Sequence, residues 1–251
     1  MDLFLEDKVA VVAAASKGLG KAAALEFARE GARVAICSRS TDEIRNTADE
    51  IASETGAEVL GVKCDVSDKD DIKSFIARVI DTYSTVDILV NNAGGPPAGN
   101  FEDFDIDQWQ KAVELNLFST INLSKEALPY MKKRNWGRIV NITSVSVKQP
   151  IDGLIISNTV RAGVIGLAKS MSNELAPFNI LVNNVCPGRI HTDRIKQLAT
   201  VTAEKENKSY EQVISEMGKT VPLGRIGKPE ELANLLVFLA SETASYITGT
   251  Q

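Results

Sequence analysis

Short apolar runs and longer amphipathic stretches alternate along this chain. Val9 to Ala15 has no polar alternation, which suits a strand covered on both faces. Runs of the same kind return at Ala32 to Ser38, Glu58 to Cys64, Val86 to Asn91, Arg138 to Thr143 and Ile180 to Val185. Between them, apolar residues recur at helical spacing. Ala24, Leu25, Phe27 and Ala28 begin the series, followed by Asp42 to Ser53, Lys69 to Tyr83, a stretch from about Ile106, Ser119 to Lys133, and Ser157 to Leu175. Strand and helix in strict alternation predict an α/β fold with a doubly wound parallel sheet. No low-complexity linker or internal repeat breaks the rhythm, so a single domain over residues 1–251 is expected.

The rhythm changes between residues 191 and 220, where the chain is charged and only loosely apolar. One or two short helices on the strand-end side are expected there. An excursion of this kind is most often a cover over a binding site, the other reading being a solvated surface insertion.

Composition removes several functions without choosing one. Twenty-eight basic and 33 acidic residues are well mixed, for a net charge of −5, so neither a nucleic-acid face nor a membrane-binding face is expected. Cys37, Cys64 and Cys186 are far apart in sequence and the chain has one histidine, which argues against a metal centre or a disulfide framework. No targeting segment or apolar run of membrane length stands out, and a cytoplasmic location is expected.

The first candidate chemistry lies where the first strand meets the first helix. Gly18 and Gly20 flank Leu19 at that turn. In an open parallel sheet this is where a dinucleotide pyrophosphate docks, on the free N–H groups and positive dipole end of the helix. Glycine lets the backbone approach the phosphates without a Cβ in the way.

Other motifs follow in order: Asp65-Val66; Asn91-Asn92-Ala93-Gly94; Asn116 in VELNLFST; Gly137 to Asn141 with Ser144; Asn183 with Pro187-Gly188; and PLGRIGKPEELANLLVFLAS with Thr248-Gly249. With Ala13 to Gly20 in place of a T-G-x-x-x-G-x-G turn, this set resembles the short-chain dehydrogenase/reductase family. Within it, the branch of 3-oxoacyl-carrier-protein reductases and sugar or alcohol dehydrogenases is the most similar. The resemblance implies a Rossmann fold of about seven strands, the last following Thr248-Gly249, and assembly as a homotetramer or homodimer. It also implies a nicotinamide cofactor and a small-molecule carbonyl or alcohol substrate. The implied cofactor-binding residues are Ser16, Lys17, Gly18, Leu19, Gly20, Ser38, Arg39, Asp65, Val66, Asn92, Ala93, Gly94, Pro187, Gly188, Ile190 and Thr192.

Charge bears on which nicotinamide is bound. An NAD site usually carries a carboxylate at the end of the second strand for the ribose hydroxyls. Here Ser38 and Arg39 stand there, with Lys17 in the glycine turn, so NADP(H) is expected over NAD(H). The competing reading is that both cations are merely solvated.

In the family, an Asn, Ser, Tyr and Lys tetrad does the chemistry. Tyr exchanges a proton with the substrate oxygen, Lys holds the ribose and lowers the Tyr pKa, Ser positions the carbonyl and Asn organises a water relay. Asn116 and Ser144 match. Thirteen residues after Ser144 stands Ser157, where the Tyr is expected, and four further on Arg161 replaces the Lys. A serine oxygen stops about 4 Å short of the phenolic position and is a far weaker acid. Arg161 donates hydrogen bonds but relays no proton. A second departure is Ala14, where the family has its first glycine; it strains the turn only if φ there is positive.

Two functions are compatible with these residues. In one the protein is an NADP(H)-dependent oxidoreductase with an atypical site of Asn116, Ser144, Ser157 and Arg161. Arg161 then reads a polar or anionic substrate or polarises its oxygen, and water, Tyr210 or His191 supplies the proton. In the other it binds the dinucleotide with little or no catalysis, in a binding or regulatory role.

Overall fold

The apolar run that opens at Val9 is a regular strand only as far as Val12, where β1 (Val9–Val12) ends with all four residues buried. Ala13 and Ala15 still donate to the carbonyls of Val90 and Cys37, but Ala14 between them has φ +48°. That left-handed turn, within a stretch expected to stay extended to Ala15, costs a residue with a Cβ about 1–2 kcal/mol. The computed structural model describes residues 2–251.

Five further strands join β1: β2 (Arg33–Ser38), β3 (Val59–Lys63), β4 (Ile88–Asn91), β5 (Gly137–Ile142) and β6 (Ile180–Val185). All pairings are parallel, in the order β3-β2-β1-β4-β5-β6. Chain order reverses between β1 and β4, which opens a crevice at their carboxyl ends.

The helices are α1 (Gly18–Arg29), α2 (Thr41–Thr55), α3 (Lys69–Tyr83), α4 (Ile106–Val113), α5 (Ser119–Arg134), α6 (Ile155–Leu175), α7 (Asp193–Glu206), α8 (Tyr210–Lys219) and α9 (Pro229–Leu239). Apolar residues of α1, α2 and α9, among them Phe27, Ile44 and Leu236, share one core with one face of the sheet. Phe75 of α3, Leu123 of α5 and Ala168 of α6 share the other. Local chemistry sets the helix ends. Asp68 accepts from the N–H groups of Asp70 and Asp71 where α3 starts, and Ser84 stops it at φ +65°.

The seventh strand implied by the resemblance is not formed among the described residues. Residues 248–250 instead lie along β6: Gly249 donates to Val182 (2.8 Å), Asn184 donates to the Thr250 carbonyl (3.0 Å), and Val182 N–H donates to Thr248 Oγ1 (3.1 Å).

Three asparagines share one row across the sheet, Asn91 opposite Asn141 and Asn141 opposite Asn184. Asn91 Nδ2 donates to Asn141 Oδ1 (2.8 Å), Asn141 Nδ2 to Asn184 Oδ1 (3.0 Å), and Asn184 Nδ2 to the Thr250 carbonyl (3.1 Å). All three side chains are buried, and each Nδ2 finds an acceptor within the row or at Thr250.

Candidate functional site

The glycine turn forms one wall of the crevice. Gly18 has φ +60° and starts α1, and no side chain caps that helix end, so its N–H groups face the crevice. A Cβ on Gly20 would lie 2.7 Å from the Ala14 carbonyl and 2.9 Å from Asn92 Nδ2. Asn92 Nδ2 donates to the carbonyls of both Ala13 and Ala14 at 3.1 Å, tying the end of β4 to the turn and holding Ala14 in its strained conformation. Ser16 faces α2: its hydroxyl donates to Glu43 (3.2 Å) and its carbonyl accepts from Thr47 (3.0 Å). Thr192 Cγ2 lies 3.8 Å from where a Gly18 Cβ would stand, which brings the residues after β6 to the same turn.

The end of β2 continues this wall. Ser38 is buried and donates to the Ser40 carbonyl (3.1 Å), while Arg39 and Lys17 are exposed. Burial would raise the Asp65 carboxyl. The Ser67 N–H (3.0 Å) and hydroxyl (2.7 Å), together with the nearby charge of Arg39, hold it below its ordinary value. Val66 beside it is buried. These features fit a dinucleotide: an uncapped helix end for the diphosphate, a side-chain-free approach, and two cations at the rim.

The opposite wall carries the residues expected to do the chemistry. Ser144 follows β5 and caps a single tight turn, its Oγ accepting from the Ser146 N–H (3.1 Å). The Val145 N–H donates to the Pro187 carbonyl (2.9 Å), joining the loops after β5 and β6. Asn116 sits in a π-helical turn (Glu114–Phe118) between α4 and α5, a distortion often found at functional sites. Its Nδ2 donates to the Gly94 carbonyl (3.0 Å), so this turn also anchors the loop after β4.

Ser157 and Arg161 lie one turn apart on α6 and share a face. Ser157 is buried. Arg161 Nη1 donates to the carbonyls of Ile142 (3.1 Å) and Thr143 (2.8 Å) at the end of β5. Burial lowers its pKa to about 10, so the guanidinium keeps its proton at neutral pH. Arg161, Asn116, Asn91, Asn92 and Ala93 line one small cavity of about 10 Å³.

Residues 191–220 form α7 and α8, a helical hairpin with a small core of Ala199, Ala203 and Val213 under Tyr210, Ile214 and Met217. Its base is fixed to the loop before α9: Ile190 pairs with Gly227, and the His191 N–H donates to the Gly227 carbonyl (2.8 Å). His191 Nε2 and Tyr210 OH are 3.3 Å apart, so the two groups considered as proton sources hydrogen-bond each other. Lys148 is exposed. The sequence reading missed the π-helical turn, this contact and the cavity. Only the asparagine row left a trace, as amides near the ends of three apolar strands.

A family model described as Enoyl-(Acyl carrier protein) reductase matches residues 13–251. The 3-oxoacyl-(acyl-carrier-protein) reductase FabG of Aquifex aeolicus is 37% identical over 249 residues, covering 99% of this chain and 96% of its own length. Oxidoreductase UcpA of Salmonella typhimurium is 38% identical over 248 residues, 98% of this chain and 92% of its own. Among solved structures, L-sorbose reductase from Gluconobacter frateurii, complexed with NADPH and L-sorbose, superposes with a TM-score of 0.96. Its sequence identity is 31%, and the match covers 100% of this chain and 95% of that one.

Proposed function

The chain belongs to the short-chain dehydrogenase/reductase family, and from that premise we propose an NADP(H)-dependent oxidoreductase that interconverts a small-molecule carbonyl and its alcohol. The reading rests above all on the assembled cradle, in which Asn92 clamps the glycine turn while Lys17 and Arg39 stand exposed at the rim. Gly18, Leu19 and Gly20 would hold the diphosphate and Lys17, Ser38 and Arg39 the 2′-phosphate. Asp65 and Val66 would flank the adenine, with Asn92 to Gly94, Pro187, Gly188, Ile190 and Thr192 at the nicotinamide end. NADPH, when bound, supplies the hydride for the carbonyl carbon.

Ser144 has the geometry of a carbonyl holder. Its oxygen already accepts from Ser146, which leaves its O–H free to donate to a substrate oxygen. Asn116 keeps the loop after β4 in place. Arg161 adds positive charge behind the site without releasing a proton, and water standing where a phenol would be supplies the proton.

One observation favours the alternative of a dinucleotide-binding protein with little or no turnover, in a binding or regulatory role: Arg161 spends two of its five N–H donors on strand-end carbonyls. Fluorescence titration with NADPH and NADH, followed by turnover on ketones, aldehydes, 3-oxoacyl thioesters and sugars, separates the two. Tighter NADPH binding with turnover on one class is the expected result; tight binding with none on any class selects the alternative.

We also propose a cytoplasmic protein that assembles as a homotetramer or homodimer. Exposed Phe101, Ile106 and Phe118, beside α4 and α5, support the assembly, and light scattering of the purified protein reads it directly.

A further inference from the structure

Cys37 and Cys64 are far apart in sequence, and the sheet brings them together. Cys37 lies opposite Val62 in the parallel pairing of β2 with β3, and the pairing runs on to the Cys64 N–H, which donates to the Ser38 carbonyl (2.8 Å). Paired residues of neighbouring strands point to the same face, as do residues two apart on one strand. Cys37 and Cys64 are therefore diagonal neighbours on one face. Both are buried, in the core that α3 covers with Ile72 and Phe75. Both are free thiols, and the Cys37 thiol hydrogen-bonds that of Cys64.

That hydrogen bond, burial and the charges of Asp71 and Asp65 hold the Cys64 thiol far above its ordinary pKa. The resting pair is thus slow to react, because the thiolate is the nucleophile. Access comes from the margin of the sheet. β3 is an outermost strand paired with β2 alone, and residues 59–62 are partly exposed, so local opening there admits a small oxidant.

The two cysteines stand where two stretches of the proposed nucleotide site leave the sheet. Ser38 and Arg39 follow Cys37 directly, and Asp65 and Val66 follow Cys64. An S–S bond is shorter than any contact between unbonded sulfurs, so a bridge draws the two strand ends together. We propose that peroxide joins Cys37 and Cys64 in a disulfide, and that this bridge narrows the nucleotide end of the crevice and makes NADPH binding redox-sensitive. One thiolate takes OH from the peroxide to become a sulfenic acid, and the second sulfur then displaces that OH. Two thiols and one hydrogen peroxide give one disulfide and two waters. By linkage, a bridge that disfavours NADPH is itself disfavoured by bound NADPH. The effect on NADPH rests on the function proposed above; the bridge itself does not.

Peptide mapping tests the pair. The purified, reduced protein is treated with hydrogen peroxide, with and without saturating NADPH, its remaining thiols are alkylated, and unreduced peptides are identified by mass spectrometry. A cross-link between the peptides holding Cys37 and Cys64 is expected, forming over hours and more slowly with NADPH present. The NADPH Kd of the oxidised protein should rise about 10-fold, as for the loss of one hydrogen bond to a charged phosphate, and recover with dithiothreitol. Cys64→Ala should keep its NADPH affinity under peroxide. Unlinked Cys37 and Cys64 after prolonged oxidation, a cross-link to Cys186 in place of this one, or a mapped bridge with unchanged NADPH Kd each overturns the proposal. So does the same loss of affinity in Cys64→Ala. If the reduced protein binds no NADPH, the function proposed above falls, while the peptide map of the native chain still decides the bridge.

Discussion

The two walls of the crevice hold their polar groups in opposite ways. On the glycine-turn wall, backbone groups and exposed cations are left open: α1 begins uncapped, and Lys17 and Arg39 reach solvent. On the α6 wall, polar groups are turned inward. Arg161 is bound to strand-end carbonyls, Ser157 is buried and the Asn116 amide is fixed to Gly94. A wall of open donors is built to receive a ligand. On the function proposed above, a wall whose cation is already engaged offers a substrate Ser144 and whatever stands in place of the phenol. On that function, the chain keeps one half of its family's machinery in the ordinary form and alters the other.

The largest effect is expected from undoing that asymmetry. Ser157→Tyr combined with Arg161→Lys restores a tunable phenol and its ammonium, and turnover under saturating NADPH should rise about 10²- to 10⁴-fold. No gain, with the cofactor still bound, would mean that the altered wall has moved beyond what two side chains repair. Next is Ser144→Ala, which removes the free O–H donor. Turnover should fall about 10²- to 10³-fold while NADPH affinity is unchanged, and equal loss of both would assign Ser144 to the cofactor.

On the other wall, Arg39→Ala should weaken NADPH about 10-fold or more and leave NADH nearly untouched, since a charge-assisted hydrogen bond is worth about 1.5–3 kcal/mol. Equal weakening of both nucleotides would show that Arg39 does not read the phosphate. The smallest effect concerns strain. Ala14→Gly relieves a positive φ, and a gain of about 1 kcal/mol, or about 2–4 °C in Tm, is expected in thermal unfolding. A lower Tm would mean that Asn92 holds the turn without strain.

Most of the sheet was legible because buried parallel strands read as unbroken apolar runs, and five of the six expected strands lie within a residue or two of their places. β1 was read three residues too long, because Ala13, Ala14 and Ala15 have no pattern that separates a strand from a turn. The π-helical turn at Glu114–Phe118 was invisible for a related reason, since one extra residue per turn changes geometry but not composition. That Ser157 and Arg161 stand at the family's Tyr and Lys positions was an expectation drawn from counting alone. Where Arg161 points was not legible, because its partners are backbone carbonyls, which carry no sequence signature. The stretch from residue 191 to 220 was expected as one or two short helices and forms two, α7 and α8.

The asparagine row gives the half-buried Arg161 cation a counterweight of a kind that ion pairs alone would not reveal. Every amide in it donates toward the sheet edge and presents its oxygen toward the crevice, from the Thr250 carbonyl at one end to Asn91 Oδ1 at the other. Aligned in series, the three dipoles polarise one another and add as those of a helix do, with the negative pole on the cavity that Arg161 lines. A positive charge that could have been neutralised by one carboxylate is thus met by a field spread across three strands, and the far pole of that field rests on the last residues of the chain.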